Sequence, residues 1–209
     1  MMVDELDLIV LTADADAAIT VRTLLEKRHN AISIPLIPFK VVRHPNRDSG
    51  VYRDAPEFLR TYLGKARHAL VLLDYHGSGA EHRESPQEIE EGLEDRISQA
   101  GWDREQIRVI VLEPELEVWV WSKSPNVSNA LGMSASDLTA FLNQVDLDER
   151  GKPRDPKDAM ERALRQSRKP LSPEIFRQLA GSVSLKASER SFDRFRERMQ
   201  YWFHLEEKA

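Results

Sequence analysis

Residues 69–74 read Ala-Leu-Val-Leu-Leu-Asp, an unbroken apolar run closed by one carboxylate and followed by Tyr75-His76-Gly77-Ser78-Gly79. A short apolar run that ends in a glycine-containing turn is the pattern of a strand buried on both faces, at the centre of a parallel sheet. Outward from it, LDLIVLT (6–12) and IRVIVLE (107–113) repeat the pattern, with amphipathic helical stretches near 16–29, 54–64 and 85–101 between the strands. The last of these opens with Ser85 as N-cap, Pro86 in the first turn and Glu88 three residues after Ser85, the chemistry of a helix start. ISIPLIPFKVV (32–42) reads as a fourth strand, and Pro35 and Pro38 assign it to an edge, because proline donates no ladder hydrogen bond. The stretch RHPNRDSGVY (43–52) reads as a loop. Strands alternating with helices predict an α/β fold, a mostly parallel four-stranded sheet flanked by helices.

Pro114 closes the fourth strand ahead of ELEVWVW (115–121), read as a short helix in which Trp119 and Trp121 close the core. From Ser134 onward the pattern is helical, over 134–144, 156–167, 173–180 and 189–204, with DLDERGKPRDP (146–156) as an intervening loop. The expected organisation is one domain, an α/β core over 1–122 with a helical C-terminal extension over 123–209 packed on it. A chain of 209 residues suits one sizeable core.

Composition narrows the chemistry. The chain has no cysteine, which excludes disulfides, thiol nucleophiles and thiolate-bound zinc, so any metal sits on oxygen or imidazole. MMVDELDLIVL lacks the basic start of a signal peptide, and no apolar run reaches the roughly 20 residues of a membrane helix. A soluble, cytoplasmic protein with no membrane partner is expected. The net charge of -5 argues against nonspecific coating of nucleic acid, while a local basic patch remains able to steer a polyanion.

In an open parallel sheet, polar groups that do chemistry gather outside the carboxyl ends of the strands. Asp14 and Asp16 follow the first strand, Asp74 and His76 the third, and Glu113, Glu115 and Glu117 the fourth. Carboxylates gathered from separate strands repel one another unless a cation or a proton neutralises them, and oxygen donors favour Mg2+ or Mn2+. The competing structural reading makes Asp14 or Asp16 an N-cap and His76 a solvated loop residue. On a helix Glu115 and Glu117 point about 200° apart, whereas in an extended turn they share a face. Lys157 suits either a phosphate contact or a solvated helix start after Asp155-Pro156. Arg43-His44-Pro45-Asn46-Arg47 is a basic loop, and Arg190, Arg194, Arg196 and Arg198 give the last helix a basic character that intrahelical ion pairs explain for the most part.

Taken together, the acidic turn after the first strand, LLDYHG (72–77), LEPELEVWVWS (112–122), Pro156-Lys157 and SERSFDRF (188–195) resemble an uncharacterised bacterial family with a Toprim-like core. Several of its members occur in phage-defence gene clusters. Pro114-Glu115-Leu116-Glu117-Val118-Trp119 is similar to that family's Pro-Glu-aromatic-Glu-x-Trp signature. The Toprim pattern carries a glutamate after the first strand and an Asp-x-Asp after a later one, which hold Mg2+ for nucleic-acid cleavage or joining. Here Thr12 or Ala13 stands at the glutamate position, with Asp14 and Asp16 beside it, and His76 replaces the second aspartate.

The resemblance implies a component of an antiviral defence system with a nuclease or nuclease-like site. Asp74, Glu115 and Asp14 would be catalytic; Asp74, His76, Glu115, Glu117 and Asp16 would hold Mg2+ or Mn2+; Lys157, Arg43 and Arg47 would contact nucleic acid. The expected partners are nucleic acid and other proteins of a defence complex. The alternative is a non-catalytic structural or adaptor subunit with a degenerate site. A third reading, a phosphoacceptor receiver domain, meets Glu-Pro-Glu where a hydroxyl residue is needed.

Overall fold

The computed structural model describes residues 6–122, 124–182 and 189–204. Four strands, β1 (Leu6–Thr12), β2 (Phe39–Arg43), β3 (Ala66–Asp74) and β4 (Ile107–Leu112), form one sheet in the order β2-β1-β3-β4, with every pair parallel. The described helices are α1 (Ala15–Lys27), α2 (Arg47–Arg60), α3 (Pro86–Gln99), α4 (Glu117–Val120), α5 (Pro125–Leu131), α6 (Ala135–Leu142), α7 (Pro156–Ser167), α8 (Pro173–Ser182) and α9 (Arg190–Trp202). This is the α/β architecture that the sequence predicts. Among the described residues no helix is long and apolar enough to cross a membrane.

Alternate residues of each strand feed two separate cores. Leu8, Val10, Leu70, Leu72, Ile110 and Leu112 face α1 and the helices from α4 onward. Ile9, Leu11, Val71, Leu73, Val109 and Val111 face α2 and α3. Covering on both faces is why these strands read as continuous apolar runs rather than alternating ones. The chain leaves β1 for β2 on one side and crosses to β3 on the other, so a crevice opens between the carboxyl ends of β1 and β3.

Three local expectations change. The run at 32–42 is not one strand: a 3-10 turn covers His29–Ile32, Ser33 takes a left-handed φ of 58°, and pairing begins only at Phe39, past both prolines. The segment read as a loop at 43–52, with a helix near 54–64, is instead mostly α2, which starts at Arg47. Pro56 sits inside that helix, and Arg96 of α3 donates to the Tyr52 carbonyl that the missing N–H would have served. Helix α5 lies outside the helices read from sequence; Ser124 caps it through the Asn126 N–H and Gly132 ends it at φ 73°.

The outer edge of β4 is closed by side chains. Val109 and Val111 donate their N–H groups to Glu94 Oε1 (2.8 Å) and Glu90 Oε1 (2.9 Å), two buried glutamates four residues apart on α3. Four helical residues rise about 6 Å and two strand residues about 6.6 Å, so the spacings match. Arg190 and Arg194 of α9 reach Glu90 Oε2 at 2.8 and 3.1 Å, and Arg104 and Arg108 reach Glu94 at 2.6 and 3.2 Å. The basic character of the last helix is therefore only partly intrahelical: Arg196 pairs with Asp193, whereas Arg190 and Arg194 serve α3.

Candidate functional site

A cavity of about 910 Å3 opens at the carboxyl ends of the strands. From β1 and the start of α1 it receives Asp14 and Asp16, from β3 Asp74, from α4 Glu117, from α7 Lys157, and from the β2 side Arg43, His44 and Arg47. Each group is positioned by a local feature. Asp14 is the N-cap of α1, its Oδ1 accepting from the Ala17 N–H at 2.8 Å, so the capping role and a place in the cavity coexist. Asp16 follows in the first turn; burial, reinforced by the Asp14 charge and opposed by Lys157, pushes it up to about 6.

Asp74 ends β3 and accepts the Leu116 N–H on Oδ1 at 2.9 Å. Its own N–H donates to Asp48 Oδ1 at 2.8 Å. Burial raises Asp74 well above the ordinary carboxylate range, and the charges of Asp48, Glu117, Asp14 and Glu115 add to the effect. Asp48, in the first turn of α2, is raised by burial as well. It is a member of the cluster that the sequence reading missed, because its segment reads as a loop.

Glu117 opens α4 and lines the cavity, whereas Glu115, ahead of that helix, is not among the lining residues. Both are buried. Glu115 Oε1 accepts from Lys157 Nζ at 3.0 Å. Burial pushes Glu117 up to about 7, against the pull of Lys157 and with the help of Glu115 and Asp16. Lys157 is an ion-paired member of the cluster rather than a solvated helix start. Burial disfavours its charge, but the Glu115 hydrogen bond and the charges of Glu115, Glu117 and Asp74 outweigh it, and Lys157 is pushed up to about 12. Its backbone is held by Asp155 capping α7 through the Asp158 N–H (2.9 Å) and by the buried Trp121 indole donating to the Pro156 carbonyl (2.7 Å). Trp119, also buried, donates to Ser191 Oγ at 2.7 Å, so both tryptophans are core residues behind the site.

Two expected participants lie elsewhere. Glu113 is exposed. His76 is exposed too, with its N–H on the Pro114 carbonyl (3.2 Å) and its ring 5.9 Å from that of Tyr75, outside the cavity lining. The turn after Asp74 is tied to the end of β4 by the Tyr75 and His76 N–H groups, which donate to the Leu112 and Pro114 carbonyls.

In kind, a donor set of carboxylate oxygens matches Mg2+ or Mn2+. In arrangement it does not: among the described residues no group of three or more His, Asp or Glu side chains is placed to hold a metal ion. Asp14, Asp48 and Asp74 each commit an oxygen to a backbone N–H, and Glu115 commits one to Lys157. The Lys157 ammonium pairs with Glu115 within the cluster, and burial raises Asp16, Asp48, Asp74 and Glu117 above the ordinary carboxylate range. No protein-family model, no curated protein and no solved structure matches the chain.

Proposed function

We propose that this chain is a component of a bacterial antiviral defence system and that its cavity is a Toprim-like, nuclease-like site for a nucleic-acid phosphodiester. One observation supports the reading above the others. Asp74, Glu117, Asp14 and Asp16 share one crevice with Arg43, Arg47 and Lys157, although the sequence scatters them from position 14 to position 157. That crevice is where open parallel sheets bind ligands. The two guanidiniums suit the oxygens of a phosphodiester, and Glu117, pushed up to about 7, suits a group that takes or gives a proton at neutral pH. The defence context rests on the motif resemblance. Mg2+ or Mn2+ is the ion that the Toprim pattern employs, and among the described residues the carboxylates are not arranged to hold it.

A second reading, the non-catalytic structural or adaptor subunit, is favoured by the Lys157–Glu115 pair, which puts a fixed ammonium where a cation would neutralise the acids. A cleavage assay separates the two. Single- and double-stranded DNA and RNA are incubated with millimolar Mg2+ or Mn2+ and the wild-type chain, Asp74→Asn or Glu115→Gln. Cleavage by the wild type that both variants lose supports the nuclease; equal products from all three would end it. Binding without cleavage, and a melting temperature indifferent to Mg2+, supports the non-catalytic subunit, because an ion that binds only the folded state must stabilise it.

A further inference from the structure

The carboxylates and cations account for only part of the cavity lining. Apart from His44 the rest is apolar and includes Val42 and Pro45 from the β2 side, Phe58 from α2, and Leu171 and Pro173 from the connection into α8. Leu171 is 44% exposed, one of few large apolar side chains left open among the described residues. Phe58 is partly buried, its ring 5.4 Å from that of the buried His44. Arg43 and Arg47 line the same cavity, and Arg47 holds a left-handed φ of 50°. That conformation is disfavoured for a non-glycine residue and recurs where a chain clamps a ligand.

A ligand that satisfies such a cavity carries phosphate charge next to a flat apolar face. Sites for single-stranded nucleic acid are built this way, with cations along the backbone and apolar or aromatic surface under the bases. A duplex conceals those faces in its stack, so it can offer the phosphate but not the base. A volume of about 910 Å3 is at the upper end of small-ligand pockets and accommodates more than a phosphate alone. We propose that Val42, Pro45, Phe58, Leu171 and Pro173 form a subsite for an unstacked nucleobase, which makes single-stranded nucleic acid the substrate class of this cavity. The inference rests on the nucleic-acid reading above and deepens it.

Fluorescence anisotropy in EDTA, where metal-dependent cutting is absent, tests it with three labelled probes of equal length: a single strand, its duplex and an abasic strand of the same backbone charge. The single strand should bind about tenfold tighter than either of the others, the scale of one stacked base. Leu171→Ala should remove most of that advantage and leave the abasic strand unaffected, whereas Arg47→Ala should weaken all three. Leu171 is an exposed connection residue, so the fold tolerates its truncation. Equal binding of the base-bearing and abasic strands, or no effect of Leu171→Ala on the single strand, overturns the base subsite and leaves the phosphodiester reading standing. Failure of all three probes to bind overturns both.

Discussion

Glu90→Ala removes the side chain on which the edge of the sheet depends most. Glu90 is fully buried; one oxygen accepts the Val111 N–H and the other accepts from Arg190 and forms an ion pair with Arg194. Truncation leaves a buried strand N–H without an acceptor, worth about 1–3 kcal/mol, and two guanidiniums without their counter-charge. Breaking a buried ion pair from one side costs about 3–5 kcal/mol. Arg190 and Arg194 are 29% and 32% exposed and regain some hydration, so the lower end applies, about 3 kcal/mol. Glu90→Gln keeps an oxygen for Val111 and loses the charge, so it should fall between wild type and Glu90→Ala. Urea unfolding followed by far-UV circular dichroism at neutral pH reads the effect. With a slope near 2 kcal/mol/M, the midpoint of Glu90→Ala should drop by about 1.5 M. The exposed neighbour Glu91→Ala is the control, expected within about 0.5 kcal/mol of wild type. If Glu90→Ala unfolds at the same urea concentration as Glu91→Ala, the glutamate cap is not what closes β4.

Two further outcomes follow from the packing of the site. Glu117 is raised from 4.5 to about 7, so the folded state holds its proton more tightly than the unfolded chain does; the stability this confers is present below about pH 4 and is lost as pH rises through about 7. Glu117→Gln, which mimics the protonated acid, should therefore stabilise the protein by about 1–3 kcal/mol at about pH 8 and by much less at about pH 5; an equal gain at both, or a loss at the higher pH, contradicts the shift. Gly50 leaves no room for a side chain, since an added Cβ would lie 2.3 Å from His44 Nδ1 and 2.6 Å from Asn46 Cβ. Gly50→Ala should cost about 1–3 kcal/mol, and adding His44→Ala should recover part of it; strictly additive losses in the double-mutant cycle would mean that the two do not touch.

The sheet was legible because its strands are covered on both faces, which writes them into the sequence as apolar runs ending at Asp74 and before Pro114. The start of α2 was not. Asn46, Asp48, Ser49 and Gly50 are turn formers by local preference, and the last three lie in a helix in which Asp48 bonds the end of β3 and Gly50 clears the His44 ring. Both contacts reach residues distant from the local pattern or across a turn from it. Glu90 and Glu94 are hidden for a similar reason. In the helical pattern of α3 they are two more acids in an acid-rich stretch, and only the position of β4 at the sheet edge turns them into acceptors for strand N–H groups.

Lys157 carries the same lesson into the site, with a consequence for function. Its local pattern, Asp155-Pro156-Lys157, is that of an ordinary helix start, and nothing near it predicts a carboxylate partner 42 residues away. Trp121 makes the link by holding the Pro156 carbonyl from behind the site. Asp14, Asp16, Asp48, Asp74, Glu115 and Glu117 thus crowd one strand-end region with a single ammonium hydrogen-bonded among them, and Asp16, Asp48, Asp74 and Glu117 answer by holding protons more strongly than free carboxyls do. If these positions served packing alone, amides or apolar residues there would make the fold more stable, and Glu117→Gln is the variant that tests this. Acids with raised pKa values cluster at functional sites, which supports the proposal of a ligand in the cavity that Arg43, Arg47 and Lys157 also line.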